Sequence, residues 1–385
     1  MTPATIDDAQ RRARLATRHL LARPTDTPEQ VADALVGLHA TDPATVYLSA
    51  CARLRDPSVA AVEAAFYDRH TLVRLLCMRR TMFAVTADTA PVVQAAAGAA
   101  IAAAERRKLL THLADGLGWT PERLAEVEED TLAALRRRGR ATTTELTRDV
   151  PALLEQVLVA PGKRYETRQN VSSRIIRVLA ADGRIRRGRP LGTWLGTQFR
   201  WEPATPWPDL DPAGARAELA RRWLASYGPG TETDLKWWTG WTLAHTRQAL
   251  AAAGAVQVTL TTGPGHALPD DLDPVPEPEP AAALLPALDP TPMGWQTRDW
   301  YLPDRHRPHL FDTAGNVGPT VWWRGAVVGG WAQRPDGDIA WRLLDDVGAD
   351  ARAAITRAAE RLATRLDGAR VIPRFRTPLE KELAK

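Results

Sequence analysis

The segment from Thr120 to Glu202 restricts the fold more than any other part of the chain, because its helix, turn and strand signals come in one order. Thr120-Pro121-Glu122 sets a capping hydroxyl before a proline at the first helical position and opens a helix through Arg138. Arg140 to Leu146 carries the start of a short second helix. Val171 to Ala181 predicts a third, with Val171, Ile175, Val178 and Leu179 facing inward and Ser173, Arg174 and Arg177 outward. Asp182-Gly183 is a tight-turn signal, and Arg184–Arg189 and Thr193–Trp201 read as two paired strands.

Helices followed by a two-stranded ribbon define a winged-helix unit, and the same order recurs on either side. Upstream, Ile6–Leu21 reads as a helix. Thr27-Pro28-Glu29-Gln30 is a capping box that opens a second helix carrying Val31, Leu35 and Leu38. Asp42-Pro43 starts a third helix, Val59–Tyr67 forms a fourth, and Leu72–Leu76 and Met82–Val85 read as short strands. A long Ala-rich helix, Thr89 to Asp115, leaves this segment. Beyond the Pro-rich stretch 203–212, helices are expected at Ala215–Tyr227, through Trp238, and at Leu243–Ala252, then a strand at Val256–Leu260. Further strands are expected at Ala281–Ala287, in a hairpin over 321–331, at Asp338–Leu344 and at Arg370–Arg376, with a helix at Ala349–Leu366. The fold class is therefore α+β, mainly α. Three tandem winged-helix units are expected, the last with an added β-sheet, over residues 1–118, 119–204 and 205–385.

The net charge of +4 conceals a strong asymmetry. Between Arg136 and Arg200 fifteen Lys and Arg face five acids, a surplus of ten, so the rest of the chain is net negative by six. A basic block on the third helix and ribbon of a winged-helix unit points to a polyanion, with duplex DNA as the first candidate. Phosphate contacts are expected from Arg79, Arg80, Arg174, Arg177, Arg184, Arg186, Arg187, Arg189, Arg374 and Arg376. Either the hairpin around Arg324-Gly325 or the wing around Arg187-Gly188 is expected to probe a groove, and the sequence does not choose between them. Two cysteines, Cys51 and Cys77, exclude a disulfide framework and a multi-Cys zinc site. The Ala95–Ala104 run is too short to cross a bilayer, and the first residues lack an apolar signal core. A cytoplasmic protein with no membrane association is expected.

No phosphate-cradling glycine loop, dinucleotide fingerprint or His-Glu-x-x-His occurs. His306 and His309 have a proline between them and no carboxylate-rich neighbourhood, so no metal is expected there. Asp270-Asp271 and Asp345-Asp346 read as solvated loop acids. The position of most chemical interest is His39-Ala40-Thr41-Asp42, at the junction of the second and third helices. His39 reads as a helix-end residue, whose charged form the helix dipole favours, and Asp42 as an N-cap before Pro43.

The chain resembles the bacterial winged-helix DNA-binding-domain family that contains the AlkZ-type DNA glycosylases. The likeness is carried by Gly37-Leu38-His39-Ala40-Thr41-Asp42-Pro43, Met78-Arg79-Arg80-Thr81-Met82-Phe83, Gly183-Arg184-Ile185, Trp237-Trp238 and Leu285-Pro286-Ala287-Leu288-Asp289-Pro290. It continues through Asp299-Trp300-Tyr301-Leu302, Gly315 to Val321, Gly329-Gly330-Trp331 and Pro373 to Pro378. The resemblance implies a C-shaped arrangement of three winged helices around duplex DNA. It also implies excision of alkylated purines, including N7-alkylguanine and the bulky adducts or crosslinks left by genotoxic natural products, for repair or self-resistance. Where glycosylase branches of that family share Gln-x-Gln or Gln-x-Asp, this chain has His39-Ala40-Thr41. The resemblance thus assigns water positioning to His39 and Thr41, with Asp42 as a further candidate, in a monomer that needs no cofactor. A non-catalytic winged-helix DNA-binding protein, whether regulator or damage sensor, is the alternative reading.

Overall fold

The computed structural model describes residues 3–159, 162, 164 and 166–385; Lys163 of the basic block lies outside them. The first segment contains α1 (Asp8–Arg18), α2 (Pro28–Ala34), β1 (Leu38–His39), α3 (Pro43–Cys51), α4 (Val59–Tyr67), β2 (Leu72–Cys77) and β3 (Thr81–Thr86). The three strands form an antiparallel sheet in the order β1-β3-β2. The expected second helix is shorter than the sequence suggests, and its last residues become β1. Leu35 caps α2, after which Val36 (φ 54°) and Gly37 (φ 133°) reverse the chain. A Cβ on Gly37 would meet Val85 Cγ1 at 2.9 Å, so only glycine passes here. Leu38 then pairs with Ala84 and His39 with Phe83.

The Ala-rich helix is interrupted. It runs as α5 (Ala90–Val93), one wide π turn at Gln94–Gly98, and α6 (Ala99–Leu117). Trp241 Nε1 donates to the Ala96 carbonyl within that turn (3.0 Å), which gives the displaced backbone group a partner. The middle segment follows with α7 (Pro121–Arg138), α8 (Thr143–Asp149), β4 (Gln156–Val159), β5 (Thr167–Asn170), α9 (Ser172–Ala181), β6 (Ile185–Pro190) and β7 (Phe199–Pro203). The β4–β5 pair is not foreseen in the sequence. This segment has its own core, in which Val127, Leu135, Ile175, Leu179 and Trp201 pack with Leu109 and Leu113 of α6.

The last segment holds α10 (Pro212–Tyr227), α11 (Glu232–Thr239), α12 (Leu243–Ala252), the hairpin of β8 (Val256–Leu260) and β9 (Gly263–Ala267), and β10 (Ala282–Leu285). After these come α13 (Arg307–Leu310), β11 (Thr320–Trp323), β12 (Ala326–Gln333), β13 (Ile339–Leu343), α14 (Gly348–Leu366) and α15 (Pro378–Leu383). The strands β10-β11-β12-β13 make a four-stranded antiparallel sheet. The final strand expected at Arg370–Arg376 is irregular chain. Side chains satisfy its backbone instead: Gln333 Oε1 accepts from Val371 N (2.8 Å) and Asp42 Oδ2 from Arg374 N (3.0 Å). First and last segments share a core, in which Leu75, Phe83 and Val93 join Trp223, Trp238, Trp295 and Trp322. Asp271 is no solvated acid, because Arg14 and Arg18 both hold it. Asp345 likewise accepts from Arg305 (2.7 Å) and His306 (3.2 Å).

Candidate active site and nucleic-acid interface

Because β1 is an edge strand directed by the Val36-Gly37 reversal, His39 lies against Phe83, ring centroids 5.2 Å apart, and is only 3% exposed. Burial and then the neighbouring Arg79 push its imidazole down to about 3, against a weaker pull from Asp289. This reverses the helix-end expectation: His39 is neutral at physiological pH. Its Nδ1 and the Oγ1 of Thr41 have no hydrogen-bond partner among the described residues. Both residues line one cavity of about 450 Å³, together with Arg79, Trp237, Arg298, Arg307 and Phe375. A neutral imidazole and a hydroxyl at the wall of one cavity have the donors and acceptors to hold a water.

Asp42 stands outside this pair. Its Oδ1 caps α3 by accepting from Ala44 N (3.1 Å), and its Oδ2 accepts from Arg374 N. Its space is a crevice of about 10 Å³, separate from the cavity of His39.

A cleft of about 720 Å³ runs between β2–β3 and the α9 and β6–β7 face. Arg74, Arg80, Arg177, Arg186 and Arg187 line it against a single acid, Glu105. A smaller cleft of about 200 Å³ has Arg74, Arg187 and Phe199 in common with it and Thr41 in common with the His39 cavity. The three spaces thus follow one another through shared walls. Arg187 stacks 4.6 Å over Phe199, and burial, then Arg74, lower it to about 10, still charged at neutral pH. Arg74 lies 3.8 Å over Phe66 and donates to the Tyr67 hydroxyl (2.8 Å). Arg374 lines the smaller cleft from the last segment.

The other sequence-derived arginines are engaged elsewhere. Arg184 pairs with Glu129 and, at 3.8 Å, with Glu128. Arg189 bridges to Glu63 (3.0 Å) and Asp68 (2.9 Å), and Arg376 forks onto Glu380 (2.8 and 2.9 Å). Arg174 donates to His112 Nδ1 (2.7 Å). Arg80 contacts Glu105 and Arg186 contacts Glu202, although both still line the large cleft. The Arg324-Gly325 turn is docked rather than projecting, since a Cβ on Gly325 would lie 2.6 Å from the Arg12 carbonyl. Sequence reasoning missed Arg74, Trp237, Arg298 and Arg307. A signal existed for Arg74, a lone cation inside the apolar run Leu72–Leu76. None existed for Arg298, which reaches the cavity only through the tertiary fold. Among the described residues no cluster of His, Cys, Asp or Glu could hold a metal, and no helix is long and apolar enough to cross a membrane.

An α+β chain with arginine-lined clefts leading to a buried polar pair has the make-up of an enzyme that works on DNA bases. The family described as DNA glycosylase AlkZ-like matches residues 32–365, and the chain belongs to it. The fold is similar to that of the Streptomyces sahachiroi DNA glycosylase AlkZ, with a TM-score of 0.73 at 20% identity over 95% of this chain and 98% of that one. No curated protein sequence matches.

Proposed function

We propose that this DNA glycosylase is monofunctional and acts as a cytoplasmic monomer. It hydrolyses the bond between deoxyribose and an alkylated purine in duplex DNA, N7-alkylguanine or a bulky natural-product adduct or crosslink. The work is repair or self-resistance. In this reading residues 1–118, 119–204 and 205–385 are three winged-helix units arranged as a C around the duplex. The observation that carries it is the chain of shared walls: Thr41 belongs both to the cavity of His39 and to the cleft bordered by Arg74, Arg187 and Arg374. One duplex lying along the arginines therefore passes the candidate water-holding pair.

The chemistry suits the residues present. An N7-alkylguanine carries a positive charge and departs as a neutral base, so no general acid is required. His39, neutral through burial and through Arg79, accepts a hydrogen bond from water and orients it as it adds to C1′, the proton passing to solvent. Thr41 Oγ1 orients the same water. The oxocarbenium-like sugar needs nearby negative charge. Asp42 has both oxygens engaged by backbone N–H groups and Asp289 is held by Arg53, so DNA phosphates supply it.

The test is a duplex carrying one N7-alkylguanine, incubated with protein and treated with alkali. Strand cleavage at the lesion that is lost in His39→Ala supports the proposal. Tight lesion binding without cleavage would make the chain a damage sensor, and sequence-specific binding of undamaged DNA a regulator; either result refutes it.

A further inference from the structure

Three arginines, Arg79, Arg298 and Arg307, line the cavity at His39. Trp237 carries two guanidiniums, Arg79 at 4.0 Å and Arg298 at 4.8 Å from the ring centre. Arg298 is 5% exposed; the Nε of both arginines is buried without a partner among the described residues, which leaves the terminal guanidinium nitrogens as the atoms that can meet the cavity. Arg307 stands on the same wall, and its contact Asp304 does not line the cavity. No Asp or Glu is among the described lining residues. Stacking on an aromatic face covers a guanidinium's plane and leaves its N–H edge for a planar or tetrahedral oxyanion. Arg79 has no carboxylate acting on it, and Asp234, which acts on Arg298, already accepts from the Gln296 and Thr297 amides, so an anion in the cavity completes the arrangement. Burial, with Arg298 next, lowers Arg79 to about 10, which leaves it charged and awaiting a counter-charge.

We propose that this cavity seats a single backbone phosphate of the damaged strand, gripped by Arg79, Arg298 and Arg307, and does not receive the damaged base. The assignment rests on the reading that duplex DNA follows the connected clefts. A cationic N7-alkylpurine would meet like charge here, whereas a phosphate brings its attached sugar to the wall that carries His39 and Thr41. The bound anion also offsets the guanidinium charge that would oppose a cationic sugar. The lesion itself then stays outside the cavity, and adduct size is not limited by its 450 Å³.

The experiment replaces each phosphodiester near one N7-alkylguanine, one at a time, by an uncharged methylphosphonate. Affinity is read by fluorescence anisotropy for the unaltered protein, Arg298→Gln and Arg307→Gln. At one position the unaltered protein should lose about tenfold in affinity and both variants less than about twofold, with all three alike elsewhere. Arg307 is half exposed, so Arg307→Gln decides the matter even if Arg298→Gln does not fold. Equal responses of protein and variants at every position would overturn the proposal. Alkaline cleavage of the same duplex separates the two readings. Coupling without base release leaves the phosphate seat standing and ends the glycosylase mechanism; base release without coupling does the opposite.

Discussion

Arg53 and Asp289, 236 residues apart, form a two-pronged ion pair with both side chains fully buried, at 2.8 and 2.7 Å. The remaining guanidinium hydrogens reach the carbonyls of His19 and Ser49 and the Thr291 hydroxyl, so every N–H is used. The pair ties the turn after α3 to the loop after β10, whose Leu288 lines the His39 cavity. Asp289→Asn leaves a buried guanidinium without its counter-ion. It should lose about 3–5 kcal/mol of stability, seen as a lower urea midpoint with an unchanged slope.

Acid should destabilise the protein before most carboxylates titrate. Burial, then Arg53, pushes His19 down to about 3, and burial, then Arg79, does the same to His39. Both folded values lie below the unfolded value of about 6.5, so the unfolded chain binds more protons between those limits. Their contribution is complete above pH 6.5 and falls as pH falls towards 3. At pH 5 each imidazole should have removed roughly 2 kcal/mol. Urea melts at pH 7.5 and pH 5 check this, and His39→Gln should show about half of the histidine-linked loss.

Catalysis should depend on the hydrogen-bonding capacity of position 39 and not on its titration. His39→Ala should slow base release by about 100-fold or more, while His39→Gln retains much of it, because an amide oxygen can also accept from water. The rate should stay level from pH 5.5 to 8, measured as abasic sites formed over time. A loss centred near pH 6.5 would contradict a neutral, buried His39.

Salt dependence should sort the arginines by their present partners. Arg177 is exposed on the large cleft, so Arg177→Ala should reduce the slope of log affinity against log salt by about 0.9. Arg189 is already committed to Glu63 and Asp68, and Arg189→Ala should leave that slope unchanged. Anisotropy titrations over a range of salt concentrations read both.

What the sequence disclosed was whatever depends on neighbours along the chain. Thr120-Pro121 opens α7 at its observed start, and Val59–Tyr67, Leu243–Ala252 and Val256–Leu260 match the structure residue for residue. The charge surplus pointed to the cleft that Arg177, Arg186 and Arg187 line. What it withheld depends on tertiary partners. His39 looked like a helix end because the reversal at Val36 requires a left-handed φ in a β-branched residue, which no propensity rule anticipates. Arg184 and Arg189 looked free because the acids that hold them come from the surrounding fold, whereas the partner of Arg376 is Glu380, four residues on. The Arg79–Trp237–Arg298 stack joins three stretches with no shared local pattern.

The cavity is walled by residues as early as His39 and as late as Phe375. A nascent polypeptide therefore cannot assemble it until Phe375 has cleared the ribosome. Translation products that keep the basic middle segment but stop short of Phe375 lack the closing wall of the cavity.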